Sequence, residues 1–133
     1  MADKVAVYAG TRNIYDQMSV CLTSLLSNTA MDRVYLLIED DEFPYPVPSN
    51  VIVKNISKQE YFQPGSPNYK SSWGYMTMIR CCLCDILPEE SVVLWLDCDT
   101  IVIEDISDLF EIDLTGFHYA GTIEPAKSKG IFN

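Results

Sequence analysis

The sequence predicts an α/β fold on a mainly parallel sheet, and three observations predict it. Short apolar strand patterns alternate with helix-period segments along the 133 residues, the arrangement that βαβ units produce. The strand runs are nearly continuous in apolar residues, as strands covered on both faces must be. Polar turn chemistry follows two of these strands, at the carboxyl edge where parallel sheets collect ligands.

The elements follow in order. Lys4 to Ala9 is a short apolar strand, and Gly10-Thr11-Arg12-Asn13 supplies a turn, with Asn13 placed to cap the next helix. From Ile14 to Ser27, Ile14, Met18, Cys21, Leu22 and Leu25 recur at helical spacing, with Asn28 as a stop. Val34 to Ile38 is a second buried strand, and Asp40 to Asn50, with three prolines, is a loop. The Glu39-Asp40-Asp41-Glu42 run at its start reads as solvated charge. Val51 to Ile56 is a third, alternating strand, and Pro64 to Asn68 is a loop. A second helix is expected over Ser72 to Leu87, with Tyr75, Ile79, Cys82, Leu83 and Ile86 on one face and Pro88 ending it. Trp73 and Tyr75 read as packing residues. Val92 to Ile103 is a strand buried on both faces, a short helix follows near Ile106 to Phe110, and His118 to Ile123 is a last strand with His118 structural.

Composition bounds the function. The length suits one domain, residues 1–133, with a core of its own. Hydrophobic residues make up 48% and charged residues 21%, which argues against disorder. The net charge of −10 argues against a broad nucleic-acid footprint. No apolar run is long enough to span a bilayer. The cysteines are Cys21, Cys81, Cys82, Cys84 and Cys98. Their odd number and apolar settings favour reduced core thiols in a cytoplasmic protein over a zinc site.

Asp97 and Asp99 carry the chemistry. They stand one residue apart where the Val92 strand emerges from the sheet. Two like charges so close in a buried setting demand a cation, and hard carboxylate oxygens suit Mg²⁺ or Mn²⁺. With the Gly10 to Asn13 turn on the same edge, two polar segments converge on one crevice, suited to a phosphate-bearing ligand. The plain rival makes the aspartates strand-end caps and Arg80 a surface ion-pair residue.

These residues resemble a known family. Val7-Tyr8-Ala9-Gly10-Thr11-Arg12-Asn13, Ser24 to Asn28, Arg80, Leu94-Trp95-Leu96-Asp97-Cys98-Asp99-Thr100-Ile101-Val102, the Asp105 to Leu114 stretch and Phe132-Asn133 together are similar to the N-terminal half of family 8 glycosyltransferases. That group includes glycogenin and bacterial retaining hexosyltransferases. The resemblance implies a GT-A type, Rossmann-like fold, the N-terminal nucleotide-sugar-binding portion of such an enzyme. It implies a UDP-sugar donor, with Asp97 and Asp99 holding Mn²⁺ or Mg²⁺ against the diphosphate. It places Arg80 near the donor sugar and diphosphate, and Ala9, Thr11 and Asn13 at the uridine. Asn133 matches an Asn that meets the donor sugar, and Glu124 an acidic acceptor-side position. The acceptor would be a glycan, a lipid-linked glycan or a protein, a range compatible with peripheral contact with a membrane.

Departures accompany it. Thr11 stands where many members carry Asp, and Met78 where many carry Tyr. The family's His metal ligand and its acidic residues near the anomeric carbon lie beyond the matched stretch, and His118 does not match that ligand. The chain therefore reads as part of a longer enzyme or a truncated descendant, with an uncovered sheet edge prone to self-association. Two alternatives stand beside the transferase: a haloacid-dehalogenase-type phosphohydrolase, which also uses Asp-x-Asp after a strand, and a non-catalytic truncated nucleotide-binding module.

Overall fold

A computed structural model describes residues 3–67, 69 and 74–122. Strands β1 (Val5–Ala9), β2 (Arg33–Ile38), β3 (Val51–Asn55) and β4 (Leu94–Trp95) form one sheet in the order β3-β2-β1-β4. Every pairing is parallel, with Val5 opposite Arg33, Val34 opposite Val51 and Ala6 opposite Leu94. The parallel α/β expectation holds. Chain order runs outward from β1 to β3 on one side and places β4 on the other. The sheet's switch point therefore lies between the carboxyl ends of β1 and β4.

Alternation explains why the strands are apolar throughout. Ala6 and Tyr8 of β1, with Val34, Leu36 and Ile38 of β2, face helix α1 (Tyr15–Asn28) through Met18, Cys21, Leu22 and Leu25. Val5, Val7, Tyr35 and Leu37 face the opposite layer, with Met76, Ile79 and Leu87. Each fully buried Leu or Ile contributes about 1.5–3 kcal/mol of transfer free energy, so both layers hold the sheet. Gly10 lets α1 approach: a Cβ there would lie 2.3 Å from Ile14 Cδ1 and 2.8 Å from Met18 Cε.

Several expectations are corrected. The Val92–Ile103 strand shrinks to two residues: backbone pairing with β1 ends where Leu96 N–H donates to Val7 O at 3.0 Å, and the next acceptor on that side, Ala9 O, is taken by the Cys98 thiol. Beyond it the chain turns and runs along α1. There Val102 N–H donates to Ser24 Oγ and its carbonyl accepts from Asn28 Nδ2, while Ile101 and Ile103 are exposed.

The second helix is broken into α2 (Tyr75–Met78), a 3₁₀ turn over Ile79–Cys82 and α3 (Leu83–Ile86). Thr77 and three cysteines are poor helix formers, and Arg80 Nε takes the Thr77 carbonyl at 2.9 Å. Cys82 leaves the helical region at φ −116°, ψ 16°. Its apolar face is as expected, but Ser72 and Trp73 lie outside the described residues.

His118–Thr122 forms no strand and is exposed, having no strand neighbour among the described residues; Ile123 lies outside them. Asn13 does not cap α1, since its Oδ1 accepts from the Thr11 hydroxyl instead. A 3₁₀ turn at Ser107–Glu111 replaces the short helix, started by Asp105 Oδ1 accepting from Ser107 N and Oγ. Among the described residues no helix is long and apolar enough to cross a membrane.

Candidate functional site

Cys98 fixes the Asp97–Asp99 segment. Its buried thiol donates to Ala9 O at 3.2 Å, and its own carbonyl accepts from Cys21 Sγ at 2.9 Å. Burial first, then the neighbouring Cys21, pushes the Cys98 thiol up to about 12. With Cys98 turned inward, Asp97 and Asp99 on either side of it are exposed. Thr100 closes the turn, its N–H and hydroxyl both donating to Asp97 O. The aspartates are therefore solvated, and no burial penalty demands a counter-ion. A metal reading rests on their donor chemistry alone.

Arg80 comes to the same place from the other layer. Its Nη2 lies 3.7 Å from Asp97 Oδ1, and its guanidinium sits 5.1 Å from the centroid of the Trp95 ring. The Trp95 indole N–H donates to that same Asp97 oxygen at 2.9 Å. Arg80 and Asp97 are about half exposed, so their attraction adds little stability. What the cluster achieves is orientation: a planar cation and a carboxylate are both held against one indole ring.

Trp95 was not singled out in the sequence. The signal was present, because residues 95 and 97 share one side of an extended chain.

At the carboxyl end of β1, Ala9 is half-buried, and Thr11 and Asn13 bond to each other in the turn that follows. Gly10 N–H donates to Leu37 O at 3.1 Å, tying this turn to β2. Asn133 and Glu124 lie outside the described residues.

A polar network beside this turn also escaped the sequence reading. Arg12 grips Asp40 through Nε and Nη2 at 2.9 Å each, and its backbone N–H donates to Glu39 Oε2. Tyr15 hydroxyl donates to Asp40 and accepts from Glu39 N–H. Tyr75 hydroxyl donates to Glu39 Oε1 at 2.9 Å, joining α2 to the end of β2. The Arg12 guanidinium holds the Asp40 carboxyl below the usual carboxylate range. Glu39 and Asp40 are therefore paired rather than merely solvated. Charge runs read alike in sequence whether or not a distant Arg meets them.

Among the described residues no group of three or more His, Cys, Asp or Glu side chains is placed to hold a metal. The residues present fit a divalent cation in part. Two hard carboxylates one residue apart at an open rim suit Mg²⁺ or Mn²⁺, which commonly take the rest of their shell from phosphates and water. The cysteines do not form a soft-metal site: Cys21 and Cys98 are buried, Cys82 is half-buried, and Cys81 and Cys84 are exposed. The expectation that Cys81 and Cys84 are core thiols is thereby corrected, because the broken helix turns them outward.

A four-stranded parallel sheet in the order β3-β2-β1-β4, with helices packed against it, is the framework of a GT-A type α/β protein. The glycosyl transferase family 8 model matches residues 6–133, and the chain belongs to that family. It is 29% identical over 128 residues to the glycosyltransferase GlyA of Streptococcus pneumoniae serotype 4 (strain ATCC BAA-334 / TIGR4), covering 88% of this chain and 17% of the relative. It superposes on the crystal structure of the glycosyltransferase GlyE of Streptococcus pneumoniae TIGR4 with a TM-score of 0.59 at 25% identity, covering 86% of this chain and 28% of that one. The chain thus spans less than a third of the length of either relative.

Proposed function

We propose that this chain forms the donor-binding part of a retaining hexosyltransferase that uses a UDP-sugar. One observation supports it most directly: Arg80, Trp95 and Asp97 meet at the carboxyl end of β4, across the switch point from the Thr11–Asn13 rim. A nucleoside diphosphate laid over this crevice would have its base and ribose at Ala9, Thr11 and Asn13 and its pyrophosphate at Asp97. The Thr11 hydroxyl and the Asn13 amide offer neutral donors and acceptors to a uracil and a ribose. Arg80 offers a planar cation to the phosphates.

Asp97 and Asp99 would hold Mn²⁺ or Mg²⁺, and the ion, when bound, offsets the charge that gathers on the departing diphosphate. The chain's own residues do the rest. Arg80 orients the phosphates, Trp95 fixes both Arg80 and Asp97, and the Cys98 thiol holds the aspartate turn against β1. The sugar-transfer reading replaces the phosphohydrolase alternative, since family membership accounts for the Asp-x-Asp strand.

Titration calorimetry with UDP and Mn²⁺ tests the proposal. Asp97→Asn and Asp99→Asn are each expected to abolish metal-dependent binding while leaving the melting temperature in place. Unchanged affinity in both variants contradicts it.

A further inference from the structure

Cys81 and Cys84 lie three residues apart across the junction between the 3₁₀ turn and α3, and both are exposed. The backbone turns between them, with Cys82 at φ −116°, ψ 16° and Leu83 at φ −61°, ψ −33°, and the ends of such a four-residue turn lie within about 7 Å. Cys82, between them, is half-buried against the inner layer. Its thiol is raised, by burial first and then by Cys81, Asp85 and Cys84, which keeps it in the unreactive thiol form. The segment Cys81-Cys82-Leu83-Cys84 therefore presents two accessible thiols and withholds the third.

From this geometry we infer that Cys81 and Cys84 form a reversible dithiol site, oxidised to an intramolecular disulfide by a small-molecule disulfide. The Cys81 thiolate attacks the external S–S bond, forming a mixed disulfide and releasing one thiolate. The Cys84 thiolate then attacks the Cys81 sulfur and releases the second. Two protein thiols are oxidised, and one external disulfide is reduced to two thiols that take up the two protons the protein gives up.

Closure has a structural consequence. Cβ atoms three residues apart on a helix lie about 5–6 Å from each other, whereas a disulfide requires about 3.5–4.5 Å. The turn must tighten, and the non-helical Cys82 backbone is where it can give. Arg80 immediately precedes Cys81, and its placement over Trp95 depends on the turn's path. Oxidation should therefore shift Arg80 against Trp95. This inference does not depend on the sugar-nucleotide reading.

The test takes the whole chain, incubates it with oxidised glutathione and then with dithiothreitol, and follows two signals. Intact mass and non-reducing peptide mapping should show loss of two hydrogens and a Cys81–Cys84 link. The Trp95 indole N–H resonance, assigned with Trp73→Phe, should move on oxidation and return on reduction. Cys82→Ser should behave like the wild type. Cys84→Ser should instead carry a stable glutathione adduct on Cys81 and give no link. Stable adducts on wild-type Cys81 and Cys84, a link through Cys82, or no oxidation at all would overturn the site. A link that leaves the Trp95 resonance in place would overturn its coupling to Arg80.

Discussion

Arg80, Trp95 and Asp97 show how three weak contacts make a directional one. The guanidinium lies over the indole, the indole N–H reaches Asp97, and Arg80 stands 3.7 Å from the same carboxylate oxygen. None of these contacts is buried enough to matter greatly for folding, so their value in the proposed donor site lies in preorganising a cation beside the phosphates. Lysine keeps the charge but loses the planar stacking surface and the fork of donors. Arg80→Lys is therefore expected to weaken UDP-sugar binding by roughly two- to fivefold, the scale of one exposed stacked cation, with little change in melting temperature. A melting temperature that falls while affinity stays constant would mark Arg80 as structural only. The family resemblance singled out Arg80 and Asp97 as donor-binding residues, without the contact between them. It was silent on Trp95, whose apolar ring reads as strand filler until its N–H partner is located.

At the scale of elements, the strands were legible because burial on both faces leaves a simple trace, a run of apolar residues without polar alternation. Val5–Ala9 and Arg33–Ile38 match their expected spans almost residue for residue. The Val92–Ile103 run was misread for the same reason. Apolarity promised a long strand, but pairing ends at Leu96, and Val102 instead packs on α1 while its neighbours face out. The broken second helix failed differently: its apolar period was right, and its local propensity was not strong enough to keep one helix continuous.

The opposite ends of the strands are held by another device. Arg33 at the start of β2 grips Glu90 bidentately at 2.6 and 2.8 Å, and Tyr35 hydroxyl donates to Glu90 at 2.7 Å. These bonds line a cleft with Asp3, Val5, Glu89 and Val92 at the edge remote from the site. The Arg33 guanidinium holds the Glu90 carboxyl below its ordinary 4.5. A depressed carboxylate stabilises the fold above its unfolded value and loses that contribution as pH falls from about 4.5 through the folded value. Thermal melts between pH 7 and pH 3 should show a drop in that acid window. Glu90→Gln should start from a lower melting temperature at pH 7 and show a shallower drop. Equal acid sensitivity in both proteins would remove Glu90 from the explanation.

For the molecule as a whole, β4 is an edge strand with a single neighbour among the described residues, and the chain beyond it exposes Ile101, Ile103, Phe117 and Tyr119. An open edge beside apolar surface invites pairing with a second copy. The 133-residue chain is expected to associate as its concentration rises, and Ile103→Lys with Phe117→Lys should reduce that association in light scattering. A wild-type monomer at every concentration would contradict the expectation. Sheet order and the position of the crevice follow from the whole architecture and were readable in outline from alternating elements. The Arg12–Asp40 and Tyr75–Glu39 links were not, because nothing local announces which distant groups will meet.

The proposed donor site has a cation and a diphosphate meeting at Asp97 and Asp99. Crystals of the chain grown with UDP and Mn²⁺, measured at the manganese edge, test that meeting most directly. The expected result is an anomalous peak within coordination distance of both carboxylates, with the pyrophosphate on its far side and the nucleoside toward Thr11 and Asn13. Ordered nucleotide bound elsewhere, or both aspartates directed into solvent with no peak between them, would contradict it.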